Sequence, residues 1–161
     1  MPDKKIMAGG ALVAVAGFWF YIKPNYIDSS PPVVYTEEEI SEAPRPTVTL
    51  EERVLNLKAP AIAPNYVKVR IALEFADPDH EWIGLEGEAL VHANEVYGEH
   101  MEADIHRIWD AITTVVGEKT VDEVATASGR EELKTQIREA INHELHHQQV
   151  ENVFFVTFVT Q

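Results

Sequence analysis

Cysteine is absent from this sequence of 161 residues. A chain without cysteine has no disulfide and no cysteine nucleophile, which fits an extracytoplasmic domain that does without disulfides but assigns no compartment. The sequence also lacks the G-x-S-x-G elbow of serine hydrolases and the glycine-rich phosphate loop of nucleotide-binding enzymes. Enzyme classes that depend on these motifs are therefore excluded.

Basic residues are scarce. The chain has 13 lysines and arginines against 27 aspartates and glutamates, and the part after Lys23 has 10 against 26, a net charge of -16. Such a surface repels nucleic acid and anionic lipid headgroups, so nucleic-acid binding is not expected, whereas a basic protein partner would suit it. Apart from an N-terminal segment, the length allows one ordinary domain and a linker.

One long uncharged stretch is present, the seventeen residues Ile6–Ile22, with Lys4 and Lys5 before it and Lys23 after it. As a helix it would be roughly 25 Å long, near the lower limit for crossing a hydrocarbon core. The aromatic cluster Phe18–Tyr21 suits a headgroup layer, and the lysines before the stretch favour a cytoplasmic N-terminus. Residues 1–23 are therefore predicted to be a short tail and a single transmembrane anchor.

Two alternatives compete with the anchor. Ala14–Ala16 provides a small-residue site for signal-peptide cleavage, although cleavage there would expose the apolar residues that follow. A buried core helix is the other alternative, but Gly9, Gly10 and Gly17 are poor for a water-soluble helix. Paired glycines are common in membrane spans and allow close helix packing.

Residues 24–47 are predicted to be a linker, because they contain five prolines and the acidic run Glu37–Glu39. Proline and like charges favour extended chain, which would hold the folded domain away from the membrane. A short helix over Thr36–Ser41 remains open. The linker is interpreted either as a passive spacer or as a segment that folds on a partner.

The folded domain is predicted over residues 48–161 and belongs to the α+β class. Arg53–Leu57 is a short apolar strand, and Tyr66–Phe75 alternates apolar and polar residues with a period of two. Asp77–Pro78–Asp79 ends the second strand, which favours a two-stranded antiparallel unit.

The middle of the domain has a helical period. A long helix is predicted from about Leu85 to Gly117, with a bend or break at Gly98. Thr120–Glu123 has the spacing of a capping box for a short helix, and Ser128–Glu131 has the same spacing at the start of another. The expected buried stripes are Met101, Ile105, Ile108, Ile112 and Val115 in the first helix, and Leu133, Ile137, Ala140, Ile141 and Leu145 in the last.

The chain ends in a strand rich in Val, Phe and Thr, from Val150 to Gln161. Strict alternation divides it into two faces, Val150, Asn152, Phe154, Val156 and Phe158 against Glu151, Val153, Phe155, Thr157 and Val159. Both faces are largely apolar, so the strand is either covered on both sides or meets a neighbouring subunit.

One pattern points to an enzyme: His143-Glu144-x-x-His147 satisfies the zinc-protease signature H-E-x-x-H. On a helix, however, Glu144 would fall within the apolar stripe, and Glu151 is the sole nearby downstream candidate for a third ligand. The competing interpretation is a solvated histidine run near a helix C-terminus. Asp77–Glu81 is acidic enough for calcium but lacks the ligand spacing of a known loop, so a turn is expected. No catalytic, cofactor-binding or metal site is therefore predicted.

Several segments together resemble the FliL family of flagellar basal-body-associated proteins. They are the N-terminal anchor, the Pro- and acid-rich linker, RVLNL from Arg53, YVKVRIALEF from Tyr66, the block Ile108–Glu123, SGREELKTQIREAIN from Ser128, and the ending VFFVTFVTQ. The region 85–100 matches weakly.

The resemblance implies a non-enzymatic, single-pass inner-membrane protein whose extracytoplasmic domain has a stomatin-type (SPFH) fold. It also implies a homo-oligomer at the flagellar basal body that associates with MotA/MotB-type stator proteins and supports torque and motility. Two alternatives stay open, a membrane-anchored envelope adaptor without a motor role and a zinc-dependent hydrolase using His143, Glu144 and His147.

Overall fold

The computed structural model describes residues 34–59 and 64–161. The predicted anchor over Ile6–Ile22 lies outside these residues. Among the helices that are described, none is both long and apolar enough to cross a membrane.

The described chain is α+β, as predicted. Its elements in order are α1 (Glu37–Glu42), β1 (Thr47–Thr49), β2 (Arg53–Leu57), β3 (Asn65–Phe75), α2 (Gly87–Met101), α3 (Ile105–Gly117), α4 (Val121–Ala125), α5 (Ala127–Glu144) and β4 (Val150–Thr160). The strands join in one four-stranded sheet.

The central strand of the sheet is β3, and every pairing is antiparallel. On one side, β2 pairs with the first half of β3 and β1 with the second half, whereas β4 pairs along the other side over almost the whole length of β3. The predicted unit of Arg53–Leu57 and Tyr66–Phe75 is confirmed as the β2–β3 pair.

The core lies between one face of the sheet and the helices. Val67, Val69, Ile71, Leu73 and Phe75 all point to this face, and each is 0 or 1% exposed. The two predicted helical stripes pack against them: Met101, Ile108, Ile112, Leu133, Ile137, Ile141 and Leu145 are buried, and Ile105, Val115 and Ala140 are partly buried against the cluster. The alternation of β3 and the stripe periods are thus confirmed.

The predicted long helix is wrong in one respect, because it is two helices and the interruption is not at Gly98. Gly98 lies inside α2, and a Cβ added there would meet no atom within 4 Å. The chain leaves the helix after Met101 through a turn closed by tight bonds, in which Glu102 N–H donates to the Glu99 carbonyl and Asp104 N–H donates to the Met101 carbonyl. Bonds to the third preceding residue overwind the chain and end the α-helical ladder.

Helix α2 is attached to the sheet through an aromatic cluster. The Tyr97 ring lies 5.3 Å from that of Phe75 and 5.6 Å from that of Trp82, measured between centroids. Its hydroxyl donates to Gln148 Oε1 at 2.7 Å. Burial, with a smaller effect of the Asp77 carboxylate, raises the pKa of Tyr97 to about 12.

The first predicted capping box is confirmed. Thr120 Oγ1 accepts from Glu123 N–H, and the Glu123 carboxylate accepts from Thr120 N–H at 2.7 Å. The Glu123 carboxylate also accepts from the Thr120 hydroxyl at 2.7 Å. Its bonds from this hydroxyl and from Thr120 N–H hold the pKa of Glu123 below its ordinary value, with Lys119 and Lys58 adding to the effect.

The second predicted capping box, Ser128–Glu131, is wrong. Helix α5 begins at Ala127 with Thr126 as its N-cap, whose Oγ1 accepts from Gly129 N–H at 2.9 Å. Thr126 is also the C-cap of α4, so one residue ends one helix and starts the next. This junction is tight: a Cβ added to Gly129 would lie 1.7 Å from the Glu123 carbonyl oxygen.

Before β1, the arm Val34–Pro46 contains the short helix that the linker sequence allowed. Helix α1 has a full capping box, because Thr36 Oγ1 accepts from Glu39 N–H and the Glu39 carboxylate accepts from Thr36 N–H. The Glu39 carboxylate also accepts from the Thr36 hydroxyl at 2.9 Å. Its bonds from Thr36 N–H, which has the larger effect, and from this hydroxyl lower the pKa of Glu39. The arm joins the domain where Arg45 pairs with Glu151 and where the Pro46 carbonyl accepts from Phe75 N–H at 2.8 Å.

Candidate interaction surface

The side chains of the H-E-x-x-H pattern do not have the arrangement that a zinc site of this type requires. Helix α5 ends at Glu144, so His147 lies in the following turn rather than one helical turn beyond His143. The two histidines therefore do not share a helical face. Glu144, predicted within the apolar stripe, is exposed at the helix end, where its carboxylate is 3.3 Å from His143 Nδ1.

The other polar clusters have structural roles. The Asp77 carboxylate accepts from the N–H groups of Glu81 and Trp82, so Asp77–Glu81 forms the expected turn. Across residues 34–59 and 64–161, no three His, Asp or Glu side chains are grouped so that they could hold a metal ion.

A polar groove runs between α5 and the start of β4, lined among others by Arg138, Asn142 and Glu151. These side chains are already engaged. Asn142 bonds to both backbone groups of Val150, Arg138 donates to the Glu151 carbonyl at 3.4 Å, and Glu151 pairs with Arg45. The groove thus fastens β4 to α5 and to the arm.

Two irregularities in β4 decide which side chains face the core. Glu151 and Val156 have no partner on β3, because the register shifts by one residue at each of them. A bulge of this kind moves every following side chain to the opposite face. The two predicted faces of β4 are therefore wrong.

The core-side residues of β4 are those opposite the buried residues of β3: Val150, Val153, Phe155, Phe158 and Thr160. Phe155 and Phe158, which strict alternation separates, lie on the same side with ring centroids 4.7 Å apart. Lys134 of α5 lies 5.6 Å from the Phe155 ring centroid. This side of the strand is covered by α5.

The opposite side of the sheet, here called the outer face, includes Val54, Lys68, Arg70, Ala72, Phe154, Thr157 and Val159, with Val156 at the bulge and with Tyr66, Glu74 and Asn152 towards the ends of the strands. No described helix packs on it. Four of its apolar members are well exposed, Val54 at 64%, Val156 at 55%, Val159 at 48% and Phe154 at 44%, whereas Ala72 is buried between the strands beside it. Four large apolar side chains exposed on one face of a sheet indicate an interaction surface.

The outer face combines apolar and basic residues in rows across the strands. Lys68 lies between Val54 of β2 and Val159 of β4, and Arg70 is opposite Thr157. Lys68 Nζ is 2.7 Å from Glu52 Oε1, whereas Arg70 has no ion pair within the described chain. The sequence assigned Lys68 and Arg70 to the polar side of β3, but it did not indicate that Phe154 and Val159 join them.

Within residues 34–59 and 64–161, β4 pairs with β3 alone, and its free edge adjoins the outer face. Asn142 and Arg138 bond to its first two residues, but from Asn152 to Thr160 the strand contains no charged residue and no proline. Tyr66 and Gln161 exchange both backbone hydrogen bonds, so by antiparallel alternation the N–H groups of Phe158 and Thr160 point away from β3. Proteins usually protect such edges with charge, proline or a covering element.

Comparison with known proteins shows the family of this chain. A family model described as "Flagellar basal body-associated protein FliL" matches residues 47–161, from the first residue of β1 to the end of the chain. The flagellar protein FliL of Aquifex aeolicus (strain VF5) is 33% identical over 110 residues, which cover 65% of this chain and 68% of that protein. The chain therefore belongs to the FliL family of flagellar basal body-associated proteins.

Proposed function

We propose that this protein is an oligomeric scaffold that associates with the flagellar motor stator, of the MotA/MotB type, and supports torque and motility. In this proposal residues 1–23 anchor the chain once in the inner membrane with a cytoplasmic N-terminus. Residues 24–47 set the height of the extracytoplasmic domain, which has the stomatin-type fold that the sequence resemblance implies. Family membership supports the flagellar role.

The observation that carries the oligomer is the uncovered outer face beside the free edge of β4. A strand without charge or proline over nine residues, next to four exposed apolar side chains, favours binding another copy. Burying those side chains would stabilise the assembly by roughly 25 cal/mol per Å² of apolar surface before the costs of association. A second copy is the proposed occupant of this face.

The motor role is tested by deleting the gene in its own organism, with downstream genes intact, and measuring swimming speed and swarming. Reduced speed with flagella still assembled, and a tagged copy that colocalises with the stator, is the expected result. Normal motility would contradict the stator role and favour a membrane-anchored adaptor of another envelope complex.

The role of the outer face is tested by Val159→Asp, which we expect to lower motility and the oligomer size of the purified full chain while leaving its circular dichroism unchanged. The matched control is Val91→Asp, since Val91 is also an exposed valine, at 58%, but lies on α2 away from the sheet. Equal effects of the two substitutions would contradict the proposal that the outer face of the sheet forms the interface.

A further inference from the structure

Helix α1 has no packing partner among the described residues of its own copy. None of its residues is buried, and it makes no substantial contact with another described element. An isolated helix of six residues is far too short to be stable in water, even with a capping box. Its one aromatic contact lies just before it, where the Tyr35 ring meets the His80 ring with centroids 6.0 Å apart.

Four of the six residues of α1 are glutamates. Glu39 is occupied by the capping box, but Glu37, Glu38 and Glu42 form no ion pair with any residue that the structure describes. The helix also presents Ile40 on the same side as Glu37, since the two are three residues apart. It therefore combines free carboxylates with an apolar side chain.

The outer face is complementary to this segment. Lys68 and Arg70 provide two cations in a chain whose net charge is -14; Lys68 is paired with Glu52 at its own edge of the sheet, and Arg70 is without a carboxylate partner in the described residues. Val54 and Val159 flank Lys68 and provide the apolar contact for Ile40. Complementary charges fix how two proteins are oriented at an interface, and apolar side chains buried from both partners form its core.

Within one copy, α1 is at the wrong end of the sheet to reach this patch. Arg45 and Pro46 fasten the arm near Phe75, and Tyr35 reaches His80 beyond that end of β3. Arg70 and Lys68 lie five and seven residues back along the strand, which is about 16 to 23 Å at the rise of an extended chain. A neighbouring copy removes this mismatch.

We propose that α1 of one copy docks on the outer face of the next copy, with Glu37 and Glu38 at Lys68 and Arg70 and with Ile40 against Val54 and Val159. The inference rests on the proposed oligomer and names the segment that occupies its exposed face. Because the two surfaces differ, the contact is head-to-tail, and it closes into a ring or extends as a filament. The capped helix would be stabilised by docking, as in a segment that folds on its partner.

The absence of cysteine from the natural chain makes a direct test possible. Two differently tagged full-length chains, one Ser41→Cys on α1 and one Thr157→Cys opposite Arg70, are produced in the same cell and oxidised. Each cysteine is first shown to react with a maleimide. The expected result is a disulfide-linked heterodimer of the two tags, which cannot arise within one chain.

The matched control replaces Thr157→Cys by Thr135→Cys, an equivalent change on the exposed side of α5 in the helical layer. We expect little heterodimer for that pair. Adding Arg70→Glu to the Thr157→Cys chain should lower the cross-linked fraction by roughly tenfold, because attraction becomes like-charge repulsion. Adding Glu37→Lys and Glu38→Lys to the Ser41→Cys chain should then restore it.

Equal cross-linking of the Thr157→Cys and Thr135→Cys pairs, or no cross-linking of either, would overturn the docking of α1. So would a loss on Arg70→Glu that the two lysines fail to restore. Neither result bears on the motor role, which depends on the deletion phenotype. If α1 fails to cross-link while Val159→Asp still reduces the oligomer, another part of the neighbouring copy covers the outer face.

Discussion

Asn142 acts as a substitute strand neighbour for Val150. Its side-chain oxygen accepts from Val150 N–H at 2.7 Å, and its side-chain nitrogen donates to the Val150 carbonyl at 2.9 Å. The two bonds satisfy the edge of β4 at the point where the strand starts and where Val150 is 1% exposed. Helix α5 thereby sets the first residue of the terminal strand.

Asn142→Ala should therefore destabilise the domain by about 1–3 kcal/mol, because it leaves a backbone donor and acceptor without partners at a buried residue. The measurement is urea unfolding of the purified full chain, followed by tryptophan fluorescence. Asn152→Ala is the matched control: Asn152 donates to Glu74 on the exposed side of the sheet, and its loss should cost no more than about 0.5 kcal/mol. Equal costs would show that the Asn142 bonds are not important for stability.

The bulges in β4 predict opposite outcomes for two adjacent phenylalanines. Phe155→Asp puts a carboxylate where a ring packs against Phe158 and the core cluster, and it should cost about 2 kcal/mol or more. Phe154→Asp is on the outer face and should change the free energy of unfolding by less than about 1 kcal/mol. Urea unfolding of both variants separates them, and a larger loss for Phe154→Asp would contradict the observed register.

These two residues also show which features of the sheet could be predicted from the sequence. The alternation of faces in β3 could be predicted correctly because every residue from Val67 to Phe75 has a partner on β4. In β4, by contrast, Glu151 and Val156 are extra residues without a partner on β3. A bulge needs no distinctive residue type, so nothing in VENVFFVTFVT marks it. The outer face depends on those shifts, and for this reason its apolar members on β4 could not be grouped with Lys68 and Arg70 beforehand.

Helix boundaries show a similar division. The stripes Met101–Val116 and Leu133–Leu145 were predictable, because burial against one sheet imposes a helical period on the apolar residues. Both Thr120–Glu123 and Ser128–Glu131 fit the capping-box pattern. Helix α5 nevertheless has Thr126 as its N-cap in place of Ser128, because Thr126 is also the residue at which α4 ends. That choice depends on the contact between α4 and α5, which spacing within the sequence does not contain.

Tyr97 should make stability depend on alkaline pH. Its folded-state pKa, about 12, lies above the ordinary value near 10, so the extra stability is complete below the unfolded pKa and is lost as pH rises through the folded one. Tyr97→Phe should cost about 1 kcal/mol near pH 8 through the lost bond to Gln148, and the deficit should shrink as pH rises from about 10 towards 12, between the unfolded and the folded pKa.

Urea unfolding of the unchanged chain and of Tyr97→Phe, near pH 8 and again above pH 10, measures this change. Tyr66→Phe, at an exposed tyrosine of the sheet, is the control for the other ionising groups. A deficit for Tyr97→Phe that stays constant or grows with pH would mean that burial does not favour the protonated phenol.

Gly129 and Gly98 should respond in opposite directions to the same substitution. Both lie in helices, where alanine is favoured over glycine by about 0.8–1.0 kcal/mol, and neither has a positive φ. A Cβ at Gly129 would overlap the Glu123 carbonyl oxygen, a backbone atom that moves only with α4. Gly129→Ala should therefore destabilise the domain by about 1–3 kcal/mol, since overpacking outweighs helix propensity.

A Cβ at Gly98 meets nothing within 4 Å, so Gly98→Ala should stabilise the domain by about 0.5–1 kcal/mol. The free energies of unfolding of both variants, measured under the same conditions, compare a packing effect with a helix-propensity effect for the same Gly→Ala substitution. Stabilisation by Gly129→Ala would mean that α4 moves away from α5 at little cost. The shared cap at Thr126 argues against this, because such a movement must break the bond from Gly129 N–H to Thr126 Oγ1 or the last turn of α4.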